Sequence, residues 1–425
     1  MKFPQPFVST HSLRRSFSAL LFVFLFSIHA YLRLFELEDR IQFTWDQVQN
    51  AWVMKEMLIG GAWPLVGMIA KQNAGFFVGP AYYYLLAPFY ALFHLDPIAG
   101  GFFAACVSTV TFLVLFFVTK RLFSEPVAFM SVFFYAVSAT SIAFDRIPWP
   151  VVLIPVVSLL VFYLLYRAVT FDAKALISLG FVLGFSYHVH FSSVFYIPIL
   201  LFAVPLLPRT RKTLISGAIG FLFAFLWFLP VITAGVVQNV GSYHNFFTFI
   251  GTYYHGLHLR RIMQLFGDAF IQYETILSGM PIARYGVMIL ILFGLAYVRR
   301  NMRRDRVILL YFVSLWFAVP WLTMSLYGGE ISSYYFSITR PLVFMSLGYL
   351  CWFIYEHSPV LFHGIVLFAL GWYGLVNYHA FYAMRYTTLP KYREEVWETI
   401  ARGDIVEFKE GNSMSYLYWL YTQRE

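Results

Sequence analysis

The stretch Phe43-Thr44-Trp45-Asp46-Gln47-Val48-Gln49-Asn50 places one carboxylate among three side-chain amides, just after the first long apolar run. A carboxylate so placed can accept a proton or hold a polar ligand. Thr44 followed by Gln47 has the form of a capping box, which starts a helix at Trp45 and sets Asp46 in its first turn. Asp46, Gln49 and Asn50 then share one face, while Val48, Ala51, Trp52 and Ile59 fall near the other. A helix of this kind lies on a bilayer surface with its polar groups turned toward a site. The competing reading is that Asp46 only complements the helix dipole.

The elements that must position this segment are membrane helices. The chain has 425 residues, 60% of them hydrophobic, 21% aromatic and 12% charged, with a mean hydropathy of +0.68. It reads as an all-α polytopic membrane protein. The formal net charge of +9 resides in short basic clusters between apolar runs, as the positive-inside rule places them, so nucleic acid is not an expected partner. Cys106 and Cys351 both lie inside apolar runs, which supports neither a disulfide framework nor a cysteine zinc site.

Arg14 and Arg15 precede an apolar run over 17–35, read as an uncleaved first span with a cytoplasmic start. Residues 36–97 then form a first extracytoplasmic loop of interfacial helices. Within it, 79–95 (GPAYYYLLAPFYALFHL) is apolar but short, and Pro88 interrupts it. If that segment crossed, Lys120-Arg121, the cluster of Arg209, Arg211 and Lys212, and the basic run 299–306 would all face outside. If it stays in the outer interface or dips and returns, each cluster falls in the cytoplasm, and this second arrangement is expected.

The remaining spans run over 98–118, 126–144, 148–166, 176–187, 191–207, 214–236, 285–298, 307–327, 337–355 and 359–378. That makes about eleven spans in a transmembrane domain over 1–380, with 237–283 external. A short extracytoplasmic C-terminal segment follows over 381–425: an amphipathic helix at 391–402 and then one or two short strands.

This orientation gathers polar residues on the outer side. Beside the Asp46 loop fall Asp145-Arg146-Ile147-Pro148-Trp149, His188, His190, Glu330, Tyr334, Tyr335 and Arg340. Ionisable groups at membrane depth mark a substrate path or an internal pair. Asp145 and Arg146 have a pairing or span-capping alternative, and Trp149, flanked by prolines, reads first as a span start. Residues two apart on a helix diverge, so His188 and His190 are interfacial histidines before they are metal ligands, and either one can contact substrate. Lys71, Gln72 and Asn73 line an acceptor path or simply face water. Glu330 pairs with Arg340 or joins the chemistry, and the 299–306 cluster sets topology.

The acidic TWDQ after the first span resembles a motif of the C-type integral-membrane glycosyltransferases. GPAYYYLLAP, KRLF, FDRIPWP and YYFSITRP follow it in the order found there. The pattern is similar to bacterial relatives of the protein O-mannosyltransferases and of the lipid A aminoarabinose transferases. Its match is best over roughly the first two hundred residues.

The resemblance implies an enzyme of the bacterial plasma membrane with an extracytoplasmic site. It would move a sugar from a polyprenyl-monophosphate donor to a protein, lipid or glycan acceptor, with inversion. Asp46 maps to the catalytic carboxylate and general base, and Arg340 and Arg146 are placed to bind the leaving phosphate. Asp145 takes the position of a second external acid, with Gln49, Asn50, Lys71, His190, Glu330 and Tyr335 as further substrate contacts. Distant relatives carry two acids and a divalent metal at that second position. Here one acid is followed by Arg146, so no cofactor is obligatory, although a divalent metal retains a place.

A transporter or flippase of a lipid-linked or amphipathic substrate is the alternative. It would show internal repeats and ionisable groups near span centres, whereas here most charges lie at span ends. A polysaccharide polymerase or ligase would call for a lipid-diphosphate donor and more arginines in its external loops.

Overall fold

The apolar run behind Arg14 and Arg15 forms α1 (Thr10–Leu34), long enough at 25 residues to cross ~30 Å of hydrocarbon. In this computed structural model the described residues are 10–70, 75–237, 243–256, 258–265, 293–294, 296–298, 303–329, 331–385, 388–407, 409 and 411–422. After α1 come α2 (Leu37–Arg40), α3 (Trp45–Leu58), α4 (Ala81–Leu92), α5 (Ile98–Leu122), α6 (Glu125–Val137), α7 (Ala139–Arg146), α8 (Ile154–Thr170), α9 (Ala175–Val189) and α10 (Tyr196–Ala203). The order continues with α11 (Arg211–Val237), α12 (Tyr243–Tyr253), α13 (Arg304–Ser325), α14 (Arg340–His357), α15 (Leu367–Ala383), α16 (Thr388–Ala401) and α17 (Ser413–Thr422). The fold is all-helical among the described residues.

Six helical runs there are long and apolar enough to cross a membrane, and α6 with α7 adds a seventh if the pair, bent by 66°, is one span. The sequence spacing calls for about eleven. The shortfall has physical sources: α9 and the 191–206 segment are short apolar helices, α14 carries Arg340 at one end and Glu356 and His357 at the other, and most of 285–298 lies outside the described residues. Residues 299–302 of the basic run lie outside them too. With 12 residues, about 18 Å of helix, α4 is too short to span. It packs instead between α3, α5 and α9.

The strands expected near the C-terminus are not strands: α17 is a helix there. Its Tyr416, Leu417 and Leu420 recur at helical spacing and are buried, so packing overrides the β preference of SYLYWLY. α9 and α11 cross in close contact. A Cβ on Gly180 would come within 1.9 Å of the Gly220 carbonyl oxygen, so that approach needs glycine.

At the break between α6 and α7 the freed backbone groups would be orphaned in hydrocarbon. Arg33 of α1 donates to the carbonyls of Tyr135 and Ala136 at the end of α6. Its Nη2 also pairs with Asp145 Oδ2 at 2.9 Å, and the Tyr135 hydroxyl donates to the same oxygen at 2.8 Å. On the other side of the break, Ser138 Oγ accepts from the Ser141 amide and Asn377 Oδ1 from the Ala139 amide, the latter at 2.8 Å. Arg33 and Asp145 are both almost wholly buried. Asp145→Ala therefore leaves an unpaired buried guanidinium and is expected to cost about 3–5 kcal/mol. A methionine at 33 combined with a leucine at 145 is expected to restore only part of that loss, because it removes the buried charge but leaves the Tyr135 and Ala136 carbonyls without their donor. Thermal unfolding of the two purified variants checks both.

Candidate functional site

Residues Asp46, Gln49, Val53 and Glu56 recur along α3 at intervals that form one stripe, and this stripe lines a chamber of about 940 Å³. The facing wall comes from Trp149, Pro150, His190, Phe191, Ser332, Tyr334 and Tyr335, with Met68, Ile69 and Ala70 on a third side. Gly411, from the C-terminal segment, closes the rim.

Asp46 sits where the sequence places it, in the first turn of α3. Its capping box is present, with the Thr44 amide donating to Gln47 Oε1 at 3.3 Å. Burial raises the Asp46 carboxyl above its ordinary pKa. The Tyr83 hydroxyl is raised too, first by its own burial and then by the Asp46 charge. Trp45, the residue between cap and carboxylate, has φ +42°, a left-handed conformation that costs a non-glycine residue about 1–3 kcal/mol. Its side chain is 84% exposed at the chamber mouth.

His190 and Tyr335 also reach the chamber. His190 Nδ1 accepts from the Ser192 amide at 3.0 Å, so the neutral ring carries its proton on Nε2. Burial lowers the ring to about 4, and Tyr334 and Tyr335 pack against it. His188 has a different task. Its Nδ1 accepts from the Ala81 amide at 3.1 Å and its Nε2 meets the Trp227 carbonyl, clasping α4 to α11. Gly79 leaves room for that ring, since a Cβ there would lie 2.2 Å from it.

Other residues expected at the site stand behind its walls. Asn50 is buried and donates to the Pro148 carbonyl at 3.1 Å, tying α3 to the start of the α8 region. Asp145 is held in the Arg33 network rather than by Arg146. Arg146 donates to the Phe35 carbonyl and lies over the Phe381 ring. Arg340 donates to Ser337 Oγ at 3.1 Å, and its guanidinium stacks 4.4 Å above Phe144. Phe144 in turn stacks on Trp149, so Arg340 is separated from the chamber by two rings. Lys71, Gln72, Asn73 and Glu330 lie outside the described residues.

Sequence reasoning passed over Glu56, although the 46-49-53-56 spacing signals it; Gly411 gave no signal at all. Among the described residues no arginine or lysine lines the chamber, and no three His, Cys, Asp or Glu side chains gather as a metal site.

An apolar groove of about 680 Å³ runs beside the chamber along α9, α10 and α11, lined by residues such as Leu183, Ile197, Leu200 and Phe228. Phe191 borders both spaces. A chamber that carries two carboxylates and an apolar groove that share a lining residue could hold an amphiphile, head in one and chain in the other.

Residues 77–233 match the family model described as dolichyl-phosphate-mannose-protein mannosyltransferase. No curated protein sequence matches the chain. Among solved structures, ArnT from Cupriavidus metallidurans bound to undecaprenyl phosphate is similar over 95% of this chain and 84% of its own, with 11% identity and a TM-score of 0.64. The apo form of that protein gives 96%, 85%, 12% and 0.60. The archaeal oligosaccharyltransferase AglB from Archaeoglobus fulgidus, in complex with an inhibitory peptide and a dolichol-phosphate, is similar over 96% of this chain and 60% of its own, with 14% identity and a TM-score of 0.56. The order of weak motifs and the three-dimensional arrangement thus agree: the chain has the GT-C fold of polytopic membrane glycosyltransferases and resembles the ArnT and protein O-mannosyltransferase branch of it.

Proposed function

We propose that the protein transfers a sugar from a polyprenyl-monophosphate-linked donor to an acceptor on the extracytoplasmic face, with inversion and with Asp46 as general base. The observation that carries this reading is that the Asp46 chamber and the apolar groove lie on either side of a shared lining residue, Phe191. A lipid-linked sugar needs both spaces at once. Two of the similar structures hold undecaprenyl phosphate and dolichol-phosphate, which supports the same donor class here.

The step follows from the site. An acceptor hydroxyl hydrogen-bonded to Asp46 loses its proton to the carboxylate as its oxygen attacks the anomeric carbon. The bond from that carbon to the lipid phosphate oxygen breaks on the opposite face, and its electron pair stays with the phosphate. A carboxylate whose pKa is raised by burial is the stronger base for this purpose. Aromatic walls from Trp149, Tyr334 and Tyr335 suit the apolar faces of a sugar ring.

The phosphate needs donors. His190 Nε2–H, Ser332 and the two tyrosines supply neutral ones at the wall. Arg340 and Arg146 contribute positive potential from behind the wall. The acceptor faces two carboxylates, Asp46 and Glu56, so a neutral or cationic one fits better than an anionic one.

The experiment is sugar transfer from a panel of polyprenyl-phosphate monosaccharides by the purified protein in nanodiscs. Asp46→Asn is expected to lower turnover by about 100- to 10,000-fold while leaving donor binding intact. Full turnover in the variant removes Asp46 as the base; no turnover and no binding with any donor in the wild type rejects the reaction class. Turnover is expected to persist in a chelator.

Two pH effects follow. The rate is expected to fall on acidification through a value above the ordinary carboxylate range, because Asp46 must be ionised to act. His190, held near 4, adds no limb near neutrality, and a pH–rate profile in nanodiscs tests both. A raised carboxyl pKa also means that protonation stabilises the fold at low pH and that this stabilisation is lost as pH rises through the folded-state pKa. At neutral pH the ionised Asp46 therefore costs stability, and Asp46→Asn is expected to melt at the same temperature as wild type or higher.

A further inference from the structure

The segment from α16 to α17 lies far from Asp46 in sequence, yet its side chains hold the backbone that leads into α3. Thr388 Oγ1 accepts from the Phe43 amide at 2.9 Å and donates to the Ile41 carbonyl at 3.4 Å. Ser413 Oγ donates to the Phe43 carbonyl at 3.2 Å. Both main-chain polar groups of Phe43, a residue only 1% exposed, are thus satisfied by two hydroxyls of the C-terminal segment. Asp46 follows three residues later, beyond the left-handed Trp45.

The same segment ties down both ends of the loop. Arg393 pairs with Glu38 at one end and with Asp96, at 2.6 Å, at the other. The Tyr416 hydroxyl donates to the Leu95 carbonyl at 2.7 Å, and its ring packs edge-on against Trp52 of α3.

We propose that the C-terminal segment is a strap, and that Thr388 and Ser413 are positioning residues that fix Asp46 through the backbone of Phe43. A buried amide and carbonyl without partners would turn toward water. A left-handed tryptophan persists only where its surroundings over-determine it. Loss of the two hydroxyls removes that determination, so α3 starts to move and Asp46 gains water. The strap's effect on catalysis rests on the general-base reading of Asp46; its hold on the loop does not.

The test uses the full chain in nanodiscs carrying Thr388→Val with Ser413→Ala, Thr388→Ser as the conservative control, and Asp46→Asn. Amide hydrogen exchange over 41–47 is expected to quicken by about tenfold or more in the double variant, the order expected for two lost hydrogen bonds. Its kcat is expected to fall at least about tenfold with KM for the lipid donor unchanged. The acid limb of its pH–rate profile is expected to move toward the ordinary carboxylate range, and Thr388→Ser to behave as wild type.

Unchanged exchange over 41–47 overturns the strap. A fallen kcat with a fixed acid limb, in step with a lowered melting temperature, overturns the positioning role and leaves a purely structural one. If Asp46→Asn is fully active, the base assignment fails, and the exchange measurement alone then decides whether the strap holds the loop.

Discussion

A chain in hydrocarbon must satisfy every backbone polar group from within, yet this fold interrupts its helices with irregular backbone. The structure meets that conflict with single side chains placed at each interruption. Arg33 takes the carbonyls where α6 stops, and Asn377 takes the first amide of α7. Asn50 answers the Pro148 carbonyl, and His188 answers the amide at the start of α4. Thr388 and Ser413 do the same for Phe43. Each of these groups would be a poor choice in lipid on its own; Arg33, Asn50, His188 and Asn377 are buried and Thr388 and Ser413 half-buried, each beside a break in regular backbone.

Charge is arranged by the same economy. Asp145 pairs with Arg33, while Arg340 and Arg146 use ring faces and carbonyls, so these cations are held without opening the wall to water. Asp46 is different. Among the described residues it has no cation within ion-pair distance, and its partial burial leaves a carboxylate that binds its proton more tightly than usual. Buried pairs hold the scaffold, and the unpaired acid is left for the chamber.

Much of this was legible in the sequence, and the remainder is informative about why. The capping box at Thr44 and Gln47 is a local signal and places Asp46 correctly. The brevity of α4 was also legible, from its length and from Pro88. Asp145 was read with its neighbour Arg146 because adjacency is all a sequence shows. Its real partner lies 112 residues away on α1, chosen by the helix break that it repairs. Asn50 was grouped with Asp46 and Gln49 because three positions on a helix define a broad face. The observed lining face instead runs from Asp46 and Gln49 through Val53 to Glu56 and takes in Trp52, which the sequence pattern sets on the opposite side. Short apolar helices and a bent pair blur the span count, since hydropathy measures length and not direction. The role of Thr388 and Ser413 had no sequence signal, as a hydroxyl that satisfies a distant amide looks like any other.

The shared lining residue Phe191 bears on which donor such a site can use. A water-soluble nucleotide sugar would occupy the chamber alone and leave the neighbouring groove to membrane lipid, with nothing gained from their contact. A polyprenyl phosphate gains from both. Burying even a few isoprene units in the groove contributes about 25 cal/mol per Å² of apolar surface when the chain comes from water, but little when it comes from the bilayer, which is as apolar as the groove. The groove therefore adds orientation rather than affinity. On the proposed reading it would fix the direction from which the head group arrives, with the phosphate leaving along the wall that carries His190 and Phe191 and Asp46 reaching in from α3. A donor and a base held on different elements in this way would leave a single inverting displacement needing only that the acceptor enter between them.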